Sequence, residues 1–402
     1  MPLRILVAHN HYQQSGGEDL CFAADVALLR GRGHAVITYE EDNHRIPQLG
    51  RLRTALRTIW SLETSQRIGR LLANDSVDLI YAHNTFPLIS PSLYDVAASR
   101  HIPVVQVLHN YRLLCLNAFL MRGDRPCEDC MGRPLALPGI RHACYRGSRA
   151  GSLSLALMLW VNRLRGVWDR RVGRYFALTA FARQKFIQGG LPADRLVVRP
   201  NYLMDPVEPG TGSGNYALFV GRLSSEKGIL PLLATWQQLS SRLPLWIAGH
   251  GPLAPQVEAA ASANPLIRWL GSVPGSQVST LLQRATFLVF PSLWYEGLPR
   301  VLIESFAAAT PVLASDLGAM PSLVTPGKTG WLLPAGDPAA WAAGIEAILA
   351  DPAQLPALRR GARREFDDLY TPAAGYAQWA AGVAPLLSDG TTRLLLNGMA
   401  SL

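Results

Sequence analysis

Long apolar runs are missing from this chain of 402 residues. No stretch reaches the roughly 18 uninterrupted apolar residues that a spanning helix needs. The opening run, Met1-Pro-Leu-Arg-Ile-Leu-Val-Ala8, has the length of a strand and is too short for the core of a signal peptide. A cytosolic protein is the expectation. Low-complexity tracts are also absent, and charged residues make up 17% of the chain against 49% apolar. That excludes a disordered protein and implies about two or three compact domains. Lysine is scarce: Lys185, Lys227 and Lys328 are the whole complement. A phosphorylase-type enzyme, whose cofactor needs a suitable lysine, is disfavoured on that ground. No nucleic-acid reader motif is recognisable, so a basic DNA- or RNA-binding protein is the weaker alternative.

What is present is unevenly placed. The net charge is +9, and residues 101–200 carry 16 basic and 5 acidic side chains. Such a block attracts an anionic partner: phosphate, an anionic membrane face or nucleic acid.

Apolar strand-length runs alternate with helical patterns. In the first half they lie at Arg4–Ala8, His34–Tyr39, Val77–His83 and Pro103–His109. After a loop rich in Pro, Gly and Ser (Asp205–Gly214), a second cycle runs through Tyr216–Gly221, Pro244–Gly249, Ile267–Gly271, Phe287–Pro291 and Pro311–Ser315. The alternation predicts an α/β protein with two doubly wound, Rossmann-like domains. The expected division is 1–203, 204–373, a last helix at 374–388 packing back towards the first domain, and a loose tail at 389–402. Ligands in such sheets sit beyond the carboxyl ends of the strands. That places Gly16, Gly17, His83 and His109 at one rim, with His9 and His11 near strand ends as weaker candidates.

The stretch Phe290-Pro-Ser-Leu-Trp-Tyr-Glu-Gly-Leu-Pro-Arg-Val-Leu-Ile-Glu304 carries two carboxylates eight positions apart. Glu296 precedes Gly297, Leu298 and Pro299 and so sits in a loop. Glu304 falls in the first turns of a helix. Carboxylates accept hydrogen bonds from sugar hydroxyls, and backbone N–H groups at a helix start bind phosphate. Upstream, Phe219-Val-Gly-Arg-Leu-Ser-Ser-Glu-Lys-Gly228 leaves a strand carrying Arg222 and Lys227, a bidentate and a point-charge phosphate ligand. Together these describe a nucleotide sugar held by its diphosphate and its hydroxyls.

These motifs resemble those of the retaining glycosyltransferases of family 4. Gly16-Gly17, His109, Val220–Gly228, Ile247-Ala-Gly-His-Gly-Pro252, the Glu296/Glu304 pair, Gly318–Val324 and Gly330-Trp-Leu carry the resemblance across almost the whole chain. It implies the GT-B architecture, two domains facing across a cleft. The first would bind the acceptor and the second a UDP- or GDP-sugar. It implies that Arg222 and Lys227 stabilise the departing diphosphate. Glu296 would hold donor hydroxyls, with contacts from Gly221, Gly297, Leu298 and Pro299. Glu304 would bind the ribose, Gly16 and Gly17 would admit the diphosphate, and His109 would lie near the reaction centre. No cofactor is implied for catalysis. The expected activity is hexose transfer to a saccharide or polyprenyl-diphosphate-linked acceptor in polysaccharide or lipopolysaccharide synthesis. A nucleotide-sugar epimerase on the same fold is the alternative, and the glutamate motif counts against it.

Two segments stand outside that scheme. Cys115, Cys127, Cys130 and Cys144 fall in one turn-rich insertion, about residues 112–148. Their inventory matches a structural zinc site, although a second C-x-x-C is missing; free thiols are the alternative. The insertion is read as shaping the acceptor site. Residues 153–174 join an apolar run to Arg163, Arg165, Arg170, Arg171 and Arg174, with Trp160 and Trp168. A helix here would either cover the sheet or lie on an anionic membrane, making the protein peripheral on the inner face of the cell membrane.

Overall fold

A computed structural model describes residues 2–14 and 16–387. The expected tail at 389–402 lies outside the described residues. Contacts divide the chain into two units. One comprises the residues up to Leu120, Cys127–Asn201 and the residues from Gly375 on; the other comprises Met121–Pro126 and Tyr202–Ala374.

Unit 1 is built on strands β1 (Arg4–His11), β2 (Ala35–Asp42), β3 (Leu79–Ala82) and β4 (Val104–Leu108). A two-residue antiparallel hairpin follows, β5 (Met121–Arg122) with β6 (Arg125–Pro126), and then β7 (Arg174–Ala177) and β8 (Leu196–Val198). The sheet order is β2-β1-β3-β4-β7-β8, and every pairing is parallel. Parallel strands are covered by helices on both faces, so their sequences are apolar without alternation. Ile5, Leu6, Val7 and Ala8 are all fully buried, as are Leu79 to Ala82.

Unit 2 repeats the plan with β9 (Ala217–Val220), β10 (Leu245–Ala248), β11 (Ile267–Gly271), β12 (Phe287–Phe290), β13 (Val312–Ser315) and β14 (Gly330–Leu333). The order is β11-β10-β9-β12-β13-β14, again all parallel. Its core gathers Phe219, Leu232, Trp236, Ile247, Phe287, Val289, Trp341 and Ile345. Both sheets are α/β and doubly wound, as the alternation predicts.

Strand order decides where ligands can go. Chain direction across the sheet reverses between β1 and β3 in unit 1, and between β9 and β12 in unit 2. The connections leave those neighbours on opposite faces and open a crevice at their carboxyl ends. In unit 1 that rim carries His9, His11 and His83. In unit 2 it carries the loops 221–228 and 291–299.

The segment 153–174 is not one helix. The helix Arg149–Leu164 is capped by Ser148 Oγ, which accepts from Gly151 N at 3.1 Å. It ends at Gly166, whose φ of 65° is left-handed and suits glycine. A π-helical turn, Val167–Arg171, follows and buries Trp168. Arg174 then opens β7. The arginines are partnered within the chain. Arg165 and Arg171 both pair with Asp95, Arg163 donates to Arg133 O, and Arg174 to Asp194 O.

Candidate active site

In unit 2 the phosphate and sugar motifs converge at the switch point. β9 delivers Gly221 and Arg222; a short turn, Ser225–Lys227, brings Lys227 back towards the loop after β12. Lys227 Nζ lies 2.6 Å from Glu296 Oε1, which also accepts from Ser292 Oγ at 2.5 Å. Glu296 is 5% exposed, and Lys227 lies over the rings of Phe290 and Trp294. Arg222 is exposed and its guanidinium has no ion-pair partner among the described residues. The loops are pressed together so tightly that a Cβ on Gly228 would meet Pro291 O, and one on Gly249 would meet Gly221 O.

The glutamates play unequal parts. Glu304 stands in the helix Arg300–Ala307, whose N-cap is Pro299, and pairs with Arg300 Nε at 2.7 Å. Leu298 is buried, so its side chain serves the core and only its backbone is available to a ligand. Glu296 and Lys227, one on each side of the switch point, are brought together; Glu304 makes no direct bond to either.

In unit 1, β1, β3 and β4 end in histidines. His9 is fully buried, stacked on Phe22, with Nε2 2.9 Å from Asp19 Oδ1. Burial lowers its pKa to about 4, against the pull of Asp19. His11 places Nδ1 3.2 Å from the same oxygen and Nε2 2.7 Å from Glu40 Oε2. His83 Nδ1 lies 3.1 Å from His109 Nε2. Burial, and then charge on His83, hold the pKa of His109 well below its ordinary value.

Gly16 leads into the helix Gly17–Gly31, and its N–H donates to Asp19 Oδ2 at 2.7 Å. A Cβ on Gly16 or Gly17 would meet no protein atom within 4 Å. The space beside them is therefore not taken up by the chain's own packing. Glu18 next to them accepts from Asn110 Nδ2 at 2.7 Å and Tyr12 Oη at 2.9 Å. Burial outweighs these bonds and raises its pKa. Asp19, Glu18, Asn110 and Ser292 were not singled out in the sequence. Their adjacency to Gly17, His109 and Glu296 was the available signal.

The cysteine cluster is drawn together only loosely. None of the five cysteines is paired in a disulfide. Burial, helped by charge on Cys115, Cys144 and Cys127 and opposed by a backbone hydrogen bond at Gly139, pushes Cys130 up to about 11. Among the described residues one group of metal-ligating side chains has its ligand atoms within 4.8 Å of one another, and it is His9, His11 and Asp19 rather than the cysteines.

Residues 16–202 match the model of the glycosyl transferase 4-like domain, and residues 214–351 that of glycosyl transferases group 1. The chain belongs to the family 4 type of glycosyltransferase. It is similar to the phosphatidyl-myo-inositol mannosyltransferase of Mycolicibacterium smegmatis, 34% identical over 209 residues, 49% of this chain and 53% of that one. It is also similar to a glycogen synthase of Mycobacterium tuberculosis, 33% identical over 162 residues, 39% of each chain. The match thus spans about half or less of these curated relatives. A solved structure, the Anabaena protein HepE in complex with UDP, superposes with a TM-score of 0.67 at 17% identity, over 95% of this chain and 100% of that one. That likeness establishes the glycosyltransferase fold, GT-B, which the two parallel sheets display.

Proposed function

We propose that the chain is a retaining hexosyltransferase that moves a sugar from a nucleoside-diphosphate sugar to a saccharide acceptor on a lipid carrier. The observation that carries this reading is the Lys227–Glu296 pair at 2.6 Å at the switch point of the second sheet, where the exposed Arg222 has no ion-pair partner among the described residues. The buried carboxylate holds the ammonium in one place before any substrate arrives. Preorganised positive charge of this kind stabilises a leaving diphosphate without reorganisation at the moment of reaction. As the bond from the anomeric carbon to phosphate breaks, Arg222 and Lys227 take up the charge on the phosphate oxygen. The acceptor oxygen bonds to the anomeric carbon on the same face, and its proton passes to the leaving diphosphate. Arg222 and Lys227 supply the charge for which a metal would otherwise be needed. Glu296 offers its carboxylate to a donor hydroxyl, and Glu304 receives the ribose. Uridine is favoured by the UDP complex of HepE.

Lys227→Ala is expected to lower the transfer rate by about two orders of magnitude, the scale of losing one preorganised donor. Single-turnover transfer with radiolabelled donor measures it; a near-normal rate in a folded variant removes the proposed clamp.

The lipid-linked acceptor and an anionic membrane face are supported by unit 1's surface. Among the described residues no helix is long and apolar enough to cross a membrane. Yet Leu52 and Leu56 on the helix Arg51–Ile59 are 74% and 60% exposed, and Leu153, Trp160 and Leu164 on the adjoining helix Arg149–Leu164 are exposed too. Arg51, Arg53 and Arg149 are exposed on the same pair of helices. Apolar and basic side chains in company suit an anionic interface. Vesicles containing anionic lipid are expected to retain the protein in flotation, and Leu56→Glu to release it; equal recovery with neutral vesicles would count against docking.

A structural zinc on Cys115, Cys127, Cys130 and Cys144 is a proposal that rests on their number and on the C-x-x-C pair in one turn-rich insertion. Metal analysis of untagged protein tests it, and a substoichiometric trace of zinc would dismiss it.

A further inference from the structure

Three side chains at the end of the first strand turn towards one point in unit 1, and the transfer chemistry above uses none of them. His9 and His11 stand two positions apart on β1, so they leave the same face of the sheet. Asp19 comes from the first turn of the helix Gly17–Gly31. Asp19 Oδ1 lies 2.9 Å from His9 Nε2 and 3.2 Å from His11 Nδ1, and the three atoms all fall within 4.8 Å of one another. His9 and Asp19 are buried, whereas His11 keeps 30% of its side chain in solvent.

The contacts of His11 do not close on a neutral ring. Its Nδ1 faces Asp19 Oδ1, and its Nε2 faces Glu40 Oε2, on the neighbouring β2, at 2.7 Å. A neutral imidazole has one N–H to give, and an ionised carboxylate has none. Either the ring carries two protons, or a cation stands where Nδ1 and Oδ1 would present lone pairs to each other. The surroundings favour the cation. Glu40 is placed to take the Nε2 hydrogen and leave Nδ1 as the ligand atom, and a carboxylate behind a ligating histidine orients it and raises its basicity. The N–H of Gly16 donates to Asp19 Oδ2 at 2.7 Å, which leaves Oδ1 for the ion. Phe22, stacked on His9 with ring centroids 4.7 Å apart, fixes the plane of that ring. His9 Nδ1 has no partner, so the outer bonds serve His11 and Asp19. Ligands about 2.0–2.2 Å from one zinc ion stand roughly 2.8–3.5 Å from each other, a range that holds both Asp19 spacings.

We propose that His9 Nε2, His11 Nδ1 and Asp19 Oδ1 bind a divalent transition-metal ion of the zinc class, with solvent completing its shell. Two imidazoles point away from magnesium and calcium, which take oxygen ligands. The ion fastens the end of β1 to the first turn of the helix and so holds the turn that carries Gly16 and Gly17. It is a structural clasp and takes no part in bond breaking. It enters beside His11, from a depression lined by Glu40, Glu41, Asp42, Arg45 and Arg67. Both of those arginines are engaged by Glu41. The inference rests on unit 1 alone, independent of the transferase reading and of the cysteines.

Cobalt(II) and zinc added to the metal-free, untagged full chain test it. Cobalt reports its own ligands: thiolates give an intense sulfur-to-metal charge-transfer absorption, and imidazole with carboxylate does not. Cobalt is expected to develop ligand-field bands that are lost in His11→Gln and displaced by zinc, whether or not a sulfur band accompanies them. Competition with a chelator is expected to show zinc held about 10- to 100-fold more weakly by Glu40→Gln, the scale of losing an outer-shell partner. His11 and Glu40 both reach solvent, so both variants should fold, and circular dichroism matching the parent checks this. A cobalt spectrum that carries the sulfur band alone, or zinc binding that is absent, means that His11 holds two protons and no ion. Either result overturns the proposal. Zinc affinity unchanged in Glu40→Gln overturns it too, even where His11→Gln does not fold.

Discussion

Gly16 and Gly17 illustrate how a single residue can be tested for what it serves. A Cβ at either position meets nothing within 4 Å, and neither has a positive φ. Gly228 is the opposite case, with φ 70° and the carbonyl of Pro291 where a Cβ would go. Gly17→Ala is therefore expected to leave thermal stability unchanged or slightly raised, by up to about 1 kcal/mol from the narrower unfolded ensemble. If the space beside it admits a diphosphate, donor affinity should fall at least severalfold. Gly228→Ala should destabilise by more than about 1 kcal/mol, because strain and collision act together. Melting and donor titration of both variants check the pair; a Gly17→Ala variant with normal donor affinity would move the diphosphate elsewhere. Lys227 and Glu296 show a different point. Their motifs were legible separately, one for phosphate and one for sugar. That they share one ion pair was not, because 69 positions separate them in the chain and only the β9–β12 pairing closes the gap.

At the scale of elements, the strands that read clearly were those buried on both faces, such as Arg4–Ala8 within β1 and Phe287–Phe290. β7, β8 and β14 escaped the reading. β8 has three residues, β7 lies directly behind the arginine-rich stretch, and β14 reads as a loop motif through Gly330. The arginines of 163–174 looked like a surface for an external anion. Asp95 and backbone carbonyls satisfy four of them inside the fold, which no local pattern announces. The histidines were visible as strand ends, but their convergence depends on strand order. That convergence carries a pH dependence. His9 has its folded pKa lowered to about 4 from 6.5, and His34 and His109 are lowered in the same direction, in each case chiefly by burial. The unfolded chain therefore binds more protons between those values. The contribution is complete above pH 6.5 and is lost as pH falls towards 4. For His9 it is on the order of 3 kcal/mol. Denaturant melts across this range should show stability falling with pH, and less steeply in His9→Gln. A flat profile would mean that the histidines are solvated.

The whole molecule joins two doubly wound units within one family of sugar transferases. Their switch points, rather than any single motif, are what place the candidate chemistry. Part of the positive charge of residues 101–200 is consumed inside the fold by Asp95, Glu128 and Asp25, while Arg125, Arg133, Arg141, Arg146, Arg149 and Arg170 stay exposed. We infer that unit 2 binds a nucleoside-diphosphate sugar through Lys227, Glu296 and Arg222. Thermal melting of the full chain against a panel of such sugars tests it most directly. A ligand at a hundred times its dissociation constant stabilises the folded protein by about 2.7 kcal/mol. At least one UDP- or GDP-sugar is expected to raise the melting temperature by several degrees, and Arg222→Ala and Lys227→Ala to abolish the rise without lowering the unliganded value by a comparable amount. A panel that leaves the melting temperature unmoved, or a rise that survives both substitutions, would contradict the account.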